Sequence, residues 1–153
     1  MSVAPTEKSA LDPENATIYR DNAETARTDL TALSGAIAAD LAPLTDRPFV
    51  TFHDAFQYYE LRFGLNSAGA ITLGDATAPS AARIARIRET IATRGVTCVF
   101  SEPQFNPGLV ETVLSGTGAT TAVIDPLGTD LPLGPTLYPD LLRQITRSVM
   151  DCL

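Results

Sequence analysis

Phe49-Val50-Thr51-Phe52-His53-Asp54-Ala55-Phe56-Gln57-Tyr58-Tyr59 is the stretch whose reading decides the fold. Its first four residues are apolar or β-branched, the composition of a buried strand. Its last six are amphipathic with helical spacing, and Gly64 stands where such a helix would end. A strand that passes at once into a helix is the unit from which parallel sheets are built. His53, the only histidine of the chain, falls at the join. In an α/β fold the C-terminal end of a strand opens on the crevice where ligands bind. A neutral imidazole there can hold a metal or act as a general base. A lone histidine makes no site by itself, and a hydrogen-bonded histidine closing a strand is the competing reading.

The same alternation continues downstream. Ala70-Ile71-Thr72-Leu73 reads as a short strand. Pro79 to Arg94 reads as a helix with Ile84, Ile87 and Ile91 on one face and Gly95 as its stop. Val96-Thr97-Cys98-Val99-Phe100 is an apolar run of strand length, as expected for a strand covered on both faces. A helix from Asn106 to Ser115 ends at Gly116, Thr120 to Ile124 reads as another buried strand, and Pro126 to Gly134 as a loop. The last helix, from Tyr138 to Leu153, sets Leu141, Leu142, Ile145, Val149 and Cys152 on one face.

Upstream, Asp12 suits an N-cap and Pro13 a first helical position. Tyr19, Ala23, Ala26, Leu30, Leu33, Ile37, Leu41 and Leu44 then recur at gaps of three and four. A helix from Thr17 to Leu44 would run about 42 Å, longer than a domain of this size needs to cover its own core. Pro48 closes the connection that follows. The expected fold class is α/β: a parallel β-sheet flanked by helices, preceded by one long amphipathic helix. Residues 1–11 read as a disordered N-terminal segment, 12–45 as the long helix and 46–153 as the α/β lobe.

A chain of 153 residues with 44% hydrophobic and 19% charged residues can bury one sizeable core. Its formal net charge of -7 argues against nucleic acid and anionic membrane as partners, because both need clustered Lys and Arg. No apolar run reaches the roughly 18 residues of a membrane span. The first eight residues lack the apolar core of a signal peptide, so either the protein is cytoplasmic or its export signal lies outside this chain. Cys98 and Cys152 belong to no CxxC pair. Two buried thiols and one disulfide both remain open, and a strand-to-helix staple is compatible with their placement.

Three strand exits carry polar groups: His53-Asp54, Ser101-Glu102-Pro103-Gln104 and Asp125-Pro126-Leu127-Gly128. Each has a structural reading. Asp54 could cap the next helix, Glu102 could bind backbone amides, and Asp125 could orient its loop. No GxSxG elbow, Walker A lysine or GxGxxG is present. An acid–base pair of His53 with Glu102 or Asp125 is the enzyme alternative. For zinc, one histidine, two cysteines and carboxylates amount to half a site.

Thr51 to Tyr59, with Phe63-Gly64-Leu65, resembles a segment of the zinc-binding periplasmic solute-binding proteins of ABC transporters. Thr97-Cys98-Val99-Phe100-Ser101-Glu102-Pro103-Gln104-Phe105 is similar to a second marker of that family. Asp125-Pro126-Leu127-Gly128, with Tyr138 and Cys152-Leu153, is similar to a third. Leu11 to Ala16 and Tyr19 to Ala23 resemble the entry into its long backbone helix. The resemblance covers nearly the whole chain from Leu11.

The resemblance implies two α/β lobes joined by a long helix, with metal held in the cleft between them; this chain would be the helix and the C-terminal lobe only. His53 falls on that lobe's histidine ligand, and Asp125 on a position that binds metal in manganese-type relatives and lies near it in zinc-type ones. Asp54, Glu102 and Gln104 are candidates to hold the free ring nitrogen of His53. Cys98 and Cys152 fall on the family's disulfide, which implies a periplasmic location. The expected function is a non-enzymatic lobe that carries Zn²⁺ to an ABC permease, with an incomplete metal shell because the N-terminal lobe and its two histidines are absent. A homodimer through the long helix is a further expectation. The alternatives are a small α/β enzyme and a structural or adhesive lobe without metal function.

Overall fold

A computed structural model describes residues 4–72, 74 and 78–153. The chain forms two compact units, residues 1–36 and 37–153. The first holds helix α1, Ala4–Leu11, a 3-10 turn at Pro13–Asn15, and the opening turns of α2, Ala16–Leu41. The segment expected to be disordered is thus helical from Ala4. Ala, Glu, Lys and Leu are strong helix formers, and Pro5 lies in the first turn, where its missing N–H costs nothing. Asp12 does not cap the long helix as expected. Its carboxylate accepts hydrogen bonds from the Asn15 amide (2.9 Å) and the Tyr19 hydroxyl (2.7 Å), and the 3-10 turn intervenes. Those two bonds, Tyr19 first, hold the Asp12 carboxyl below its ordinary range. Along α2 the less exposed positions include Tyr19, Ala23, Leu30 and Leu33, four of the apolar series, whereas Ala26 is exposed.

The second unit begins with Ile37 and Leu41, both buried, and a 3-10 turn at Ala42–Leu44. It then alternates: β1 (Phe49–His53), α3 (Gln57–Phe63), β2 (Ser67–Thr72), α4 (Ala81–Arg94), β3 (Cys98–Ser101), α5 (Pro107–Leu114), β4 (Thr120–Val123) and α6 (Leu137–Cys152). The four strands are parallel in the order β2-β1-β3-β4. β1 and β3 lie at the centre, and Val50, Phe52, Val99 and Phe100 are buried. Ile71 from β2, Ile87 and Ile91 from α4, and Val110 and Val113 from α5 pack into one core cluster with Val50, Phe52 and Val99. Burying an aliphatic or aromatic side chain of this size contributes about 1.5–3 kcal/mol.

Local chemistry fixes the boundaries. α3 and α4 both end on a left-handed glycine, Gly64 at φ 68° and Gly95 at φ 66°, a conformation that a Cβ would penalise. The Ser80 hydroxyl accepts the Arg83 amide at the start of α4, and the Asn106 side chain accepts the Gly108 amide at the start of α5. α3 starts at Gln57, three residues into the amphipathic stretch that begins at Asp54. The Ala55 amide is turned back onto the His53 carbonyl (3.0 Å), and Asp54 caps nothing, Phe56 being the N-cap. Leu73, expected at the end of β2, lies outside the described residues.

One strand departs from its expected environment. Thr120, Thr121 and Val123 of β4 are exposed, although the run reads as a buried strand. Its composition suits a covered strand, but the strand order puts it at the edge with β3 as its single neighbour.

Candidate metal centre

The parallel pairing of β1 with β3 sets Phe49 opposite Cys98 and Val50 opposite Val99. Continued to the strand exits, this register brings His53 level with Glu102. The side chains meet there: His53 Nδ1 lies 2.6 Å from Glu102 Oε1. The same oxygen accepts the backbone amide of His53 at 3.3 Å. With that oxygen accepting, Nδ1 is the ring nitrogen that donates to it, and Nε2 is the one left to face a ligand. The Glu102 side chain is 0% exposed and that of His53 is 16% exposed. A dry carboxylate thus fixes the orientation and tautomer of a ring that still reaches the surface, the arrangement by which metal-binding histidines are commonly held.

Aromatic rings complete the setting. Phe105 meets the imidazole edge-to-face at 5.2 Å between centroids, and Phe56 does so at 6.4 Å. Phe105 stacks in turn on Phe52 at 4.4 Å. The sequence did not single out these phenylalanines as site residues, although Phe105 closes the second family marker. Tyr59, on α3, is anchored through its hydroxyl to Thr146 of α6 at 2.8 Å.

Asp125 follows β4 and is buried. Its Oδ1 accepts the Gln104 side-chain amide (2.8 Å) and the Leu127 backbone amide (2.9 Å). Its Oδ2 accepts the amide and the hydroxyl of Thr129, both at 2.7 Å. Burial alone would raise its pKa. The bonds from Thr129, Leu127 and Gln104 together outweigh burial and hold the carboxyl at about 2. Asp125 and Gln104 are thus paired with each other, and the ring nitrogen of His53 is held by Glu102 rather than by Asp54 or Gln104. Of the two partners that the enzyme alternative offered His53, Glu102 is hydrogen-bonded to it and Asp125 is not. Among the described residues no group of three His, Cys, Asp or Glu side chains is gathered closely enough to hold a metal ion.

Cys98 and Cys152 form a disulfide with their Cα atoms 5.8 Å apart. It ties β3, the strand that leads to Glu102, to the last turn of α6. The choice between thiols and a bridge, open in the sequence, is resolved in favour of the bridge.

Residues 5–152 match the family of the zinc-uptake complex component A, periplasmic. The chain is 53% identical over 142 residues to the high-affinity zinc uptake system protein ZnuA of Brucella abortus, a match covering 93% of this chain and 42% of that protein. It is 41% identical to the corresponding protein of Paracoccus denitrificans, covering 93% and 44%. Among solved structures, a zinc-bound variant of AdcAII from Streptococcus pneumoniae superposes with a TM-score of 0.82 at 26% identity, covering 98% of this chain and 54% of that one. The chain therefore spans less than half the length of these two curated relatives. A family model that matches nearly the whole chain and relatives of this identity agree: the chain belongs to the ZnuA family of periplasmic zinc-uptake components.

Proposed function

We propose that this chain is a zinc-binding lobe of a periplasmic solute-binding protein that passes Zn²⁺ to an ABC permease. The observation that carries the reading is the imidazole of His53, held at Nδ1 by buried Glu102 with Nε2 left as its one uncommitted nitrogen. Zn²⁺ is a borderline-soft ion suited to neutral imidazole. The relatives' names, as zinc uptake proteins, point to the same cargo. In this reading His53 donates one ligand, and Asp125 borders the metal rather than binding it, because both of its oxygens already accept two donors each.

A tetrahedral zinc shell needs three further ligands, and no described cluster in this chain provides them. The proposal therefore includes ligands from a second lobe outside these residues, together with a periplasmic location and a permease as the receiving partner. Calorimetry of the chain against chelator-buffered zinc tests it. The expected result is weak binding with one imidazole engaged, lost in His53→Ala. Nanomolar affinity for the monomer would overturn the incomplete-shell reading, and binding that survives His53→Ala would overturn the ligand assignment. Light scattering of the same samples reports whether two copies pool their His53 side chains or pair along the long helix.

A further inference from the structure

We propose that Asp125 is a positioning residue for the His53 imidazole, acting through Gln104 on the turn Glu102-Pro103-Gln104-Phe105. The inference has a bearing on metal only through the zinc-binding reading of His53, on which it rests for that consequence.

The four residues form one closed turn, with the Phe105 amide donating to the Glu102 carbonyl at 3.1 Å. Both ends of the turn touch the imidazole. Glu102 holds Nδ1 at 2.6 Å, and the Phe105 ring meets the imidazole at 5.2 Å with an interplanar angle of 63°. The third residue faces the other way: Gln104 donates its side-chain amide to Asp125 Oδ1 at 2.8 Å. Asp125 in turn is fixed by the Leu127 amide and by Thr129, which donates twice. The exits of β1, β3 and β4 are thereby linked in series: His53 to Glu102, along the turn to Gln104, then to Asp125.

Gln104 itself is exposed. A glutamine there is not needed for the core, so its bond to a buried carboxylate acts on the turn. Pro103 restricts φ at the second position of the turn, and Phe105 stacks on Phe52 of β1. The Asp125–Gln104 bond adds a hydrogen-bonded restraint from the β4 side. Losing it would let Glu102 and Phe105 shift together and release the ring from a single orientation.

The single histidine makes the test direct, because one imidazole gives one set of resonances. Long-range ¹H–¹⁵N spectra of the full chain, labelled in histidine and recorded at a pH of about 8, above the ordinary imidazole range, read the tautomer without metal. The wild type should show the Nδ1-protonated form alone, with a slowly exchanging Nδ1–H. Gln104→Ala should lose the slow-exchanging signal and move both nitrogens toward the averaged shifts of a tautomer mixture. Asp125→Ala should do the same, and the double variant should go no further than either single one. An unchanged imidazole spectrum in folded Gln104→Ala would overturn the proposal, as would additive effects in the double variant. Gln104→Ala removes only an exposed side chain and keeps the test valid if Asp125→Ala fails to fold. A zinc titration of the wild type followed in the same spectra is read separately. If Nε2 fails to respond, the zinc reading fails while the tautomer result still decides the role of Asp125.

Discussion

His53 Nδ1 and Glu102 Oε1 stand 2.6 Å apart at the exits of two adjacent strands, 49 residues apart in the chain. Because Glu102 is fully buried, this bond is made in a medium where charge assistance is strong. Glu102→Gln keeps the shape but replaces a charged acceptor with a neutral amide. Zinc affinity should fall roughly 10- to 100-fold, as when the outer partner of a metal-bound histidine is lost. Competition with a chromophoric chelator measures it; an affinity equal to wild type would show that the ring needs no partner.

His53→Ala should do two things at once. Zinc should raise the thermal midpoint of the wild type, and His53→Ala should abolish that rise. It should also lower metal-free stability by about 1–3 kcal/mol, because the Glu102 carboxylate loses the imidazole while staying buried. Urea unfolding without metal separates the two effects. A more stable variant would mean that the pair is strained rather than supporting.

Asp125 should set part of the acid limb of stability. Its carboxyl sits at about 2 in the folded chain against an ordinary 3.8. The fold therefore favours the charged form, and that stability is present above the ordinary value and is lost as pH falls toward 2. The contribution at neutral pH is about 2 kcal/mol. Asp125→Asn should lower stability at pH 7 by that order and flatten the pH dependence between about 4 and 2. Denaturant midpoints across this range provide the check.

Reducing the disulfide should cost about 4 kcal/mol on the chain-entropy account, since the bridge closes a sequence separation of 54 residues. Cys98→Ala with Cys152→Ala should reproduce the loss without added reductant. A shift in unfolding midpoint that is absent from the double variant under reductant would assign the effect to the bridge.

Gly128→Ala should destabilise by about 1–3 kcal/mol. Gly128 has φ +65°, and an added Cβ would lie 3.0 Å from Leu131 Cδ1 and 3.4 Å from Leu141 Cδ1. Gly116, at φ +78° with nothing within 4 Å, offers the comparison. Gly116→Ala should cost only the backbone strain, so the difference between the two midpoints isolates the contact.

The α/β order was legible because each signal was local. Strand runs such as Phe49 to Phe52 and the glycines after α3 and α4 carry their meaning within a few residues. The edge position of β4 was not legible, because Thr-Thr-Ala-Val reads alike in a covered strand and an exposed one. Its neighbours are decided by strand order, which is not a local property. The site divided in the same way. His53 and the three polar exits could be found along the chain, but the choice of Glu102 over Asp54 and Gln104 as its partner depended on the register of β1 against β3. Asp125 could be picked out as a candidate from its strand exit, but its four donors could not, although three of them come from its own loop, at Leu127 and Thr129.

The two rims of the sheet are not equivalent. On β2 the Arg83 guanidinium donates to the Ala70 and Ile71 carbonyls and sets a fixed cation against that rim. On β4 the backbone is flanked by uncharged side chains, with Val123 56% exposed. Strand addition without limit requires a free rim on both sides of every copy. A strand added at the β2 rim would have to displace the Arg83 guanidinium from the Ala70 and Ile71 carbonyls, whereas one added at β4 would meet no such cation.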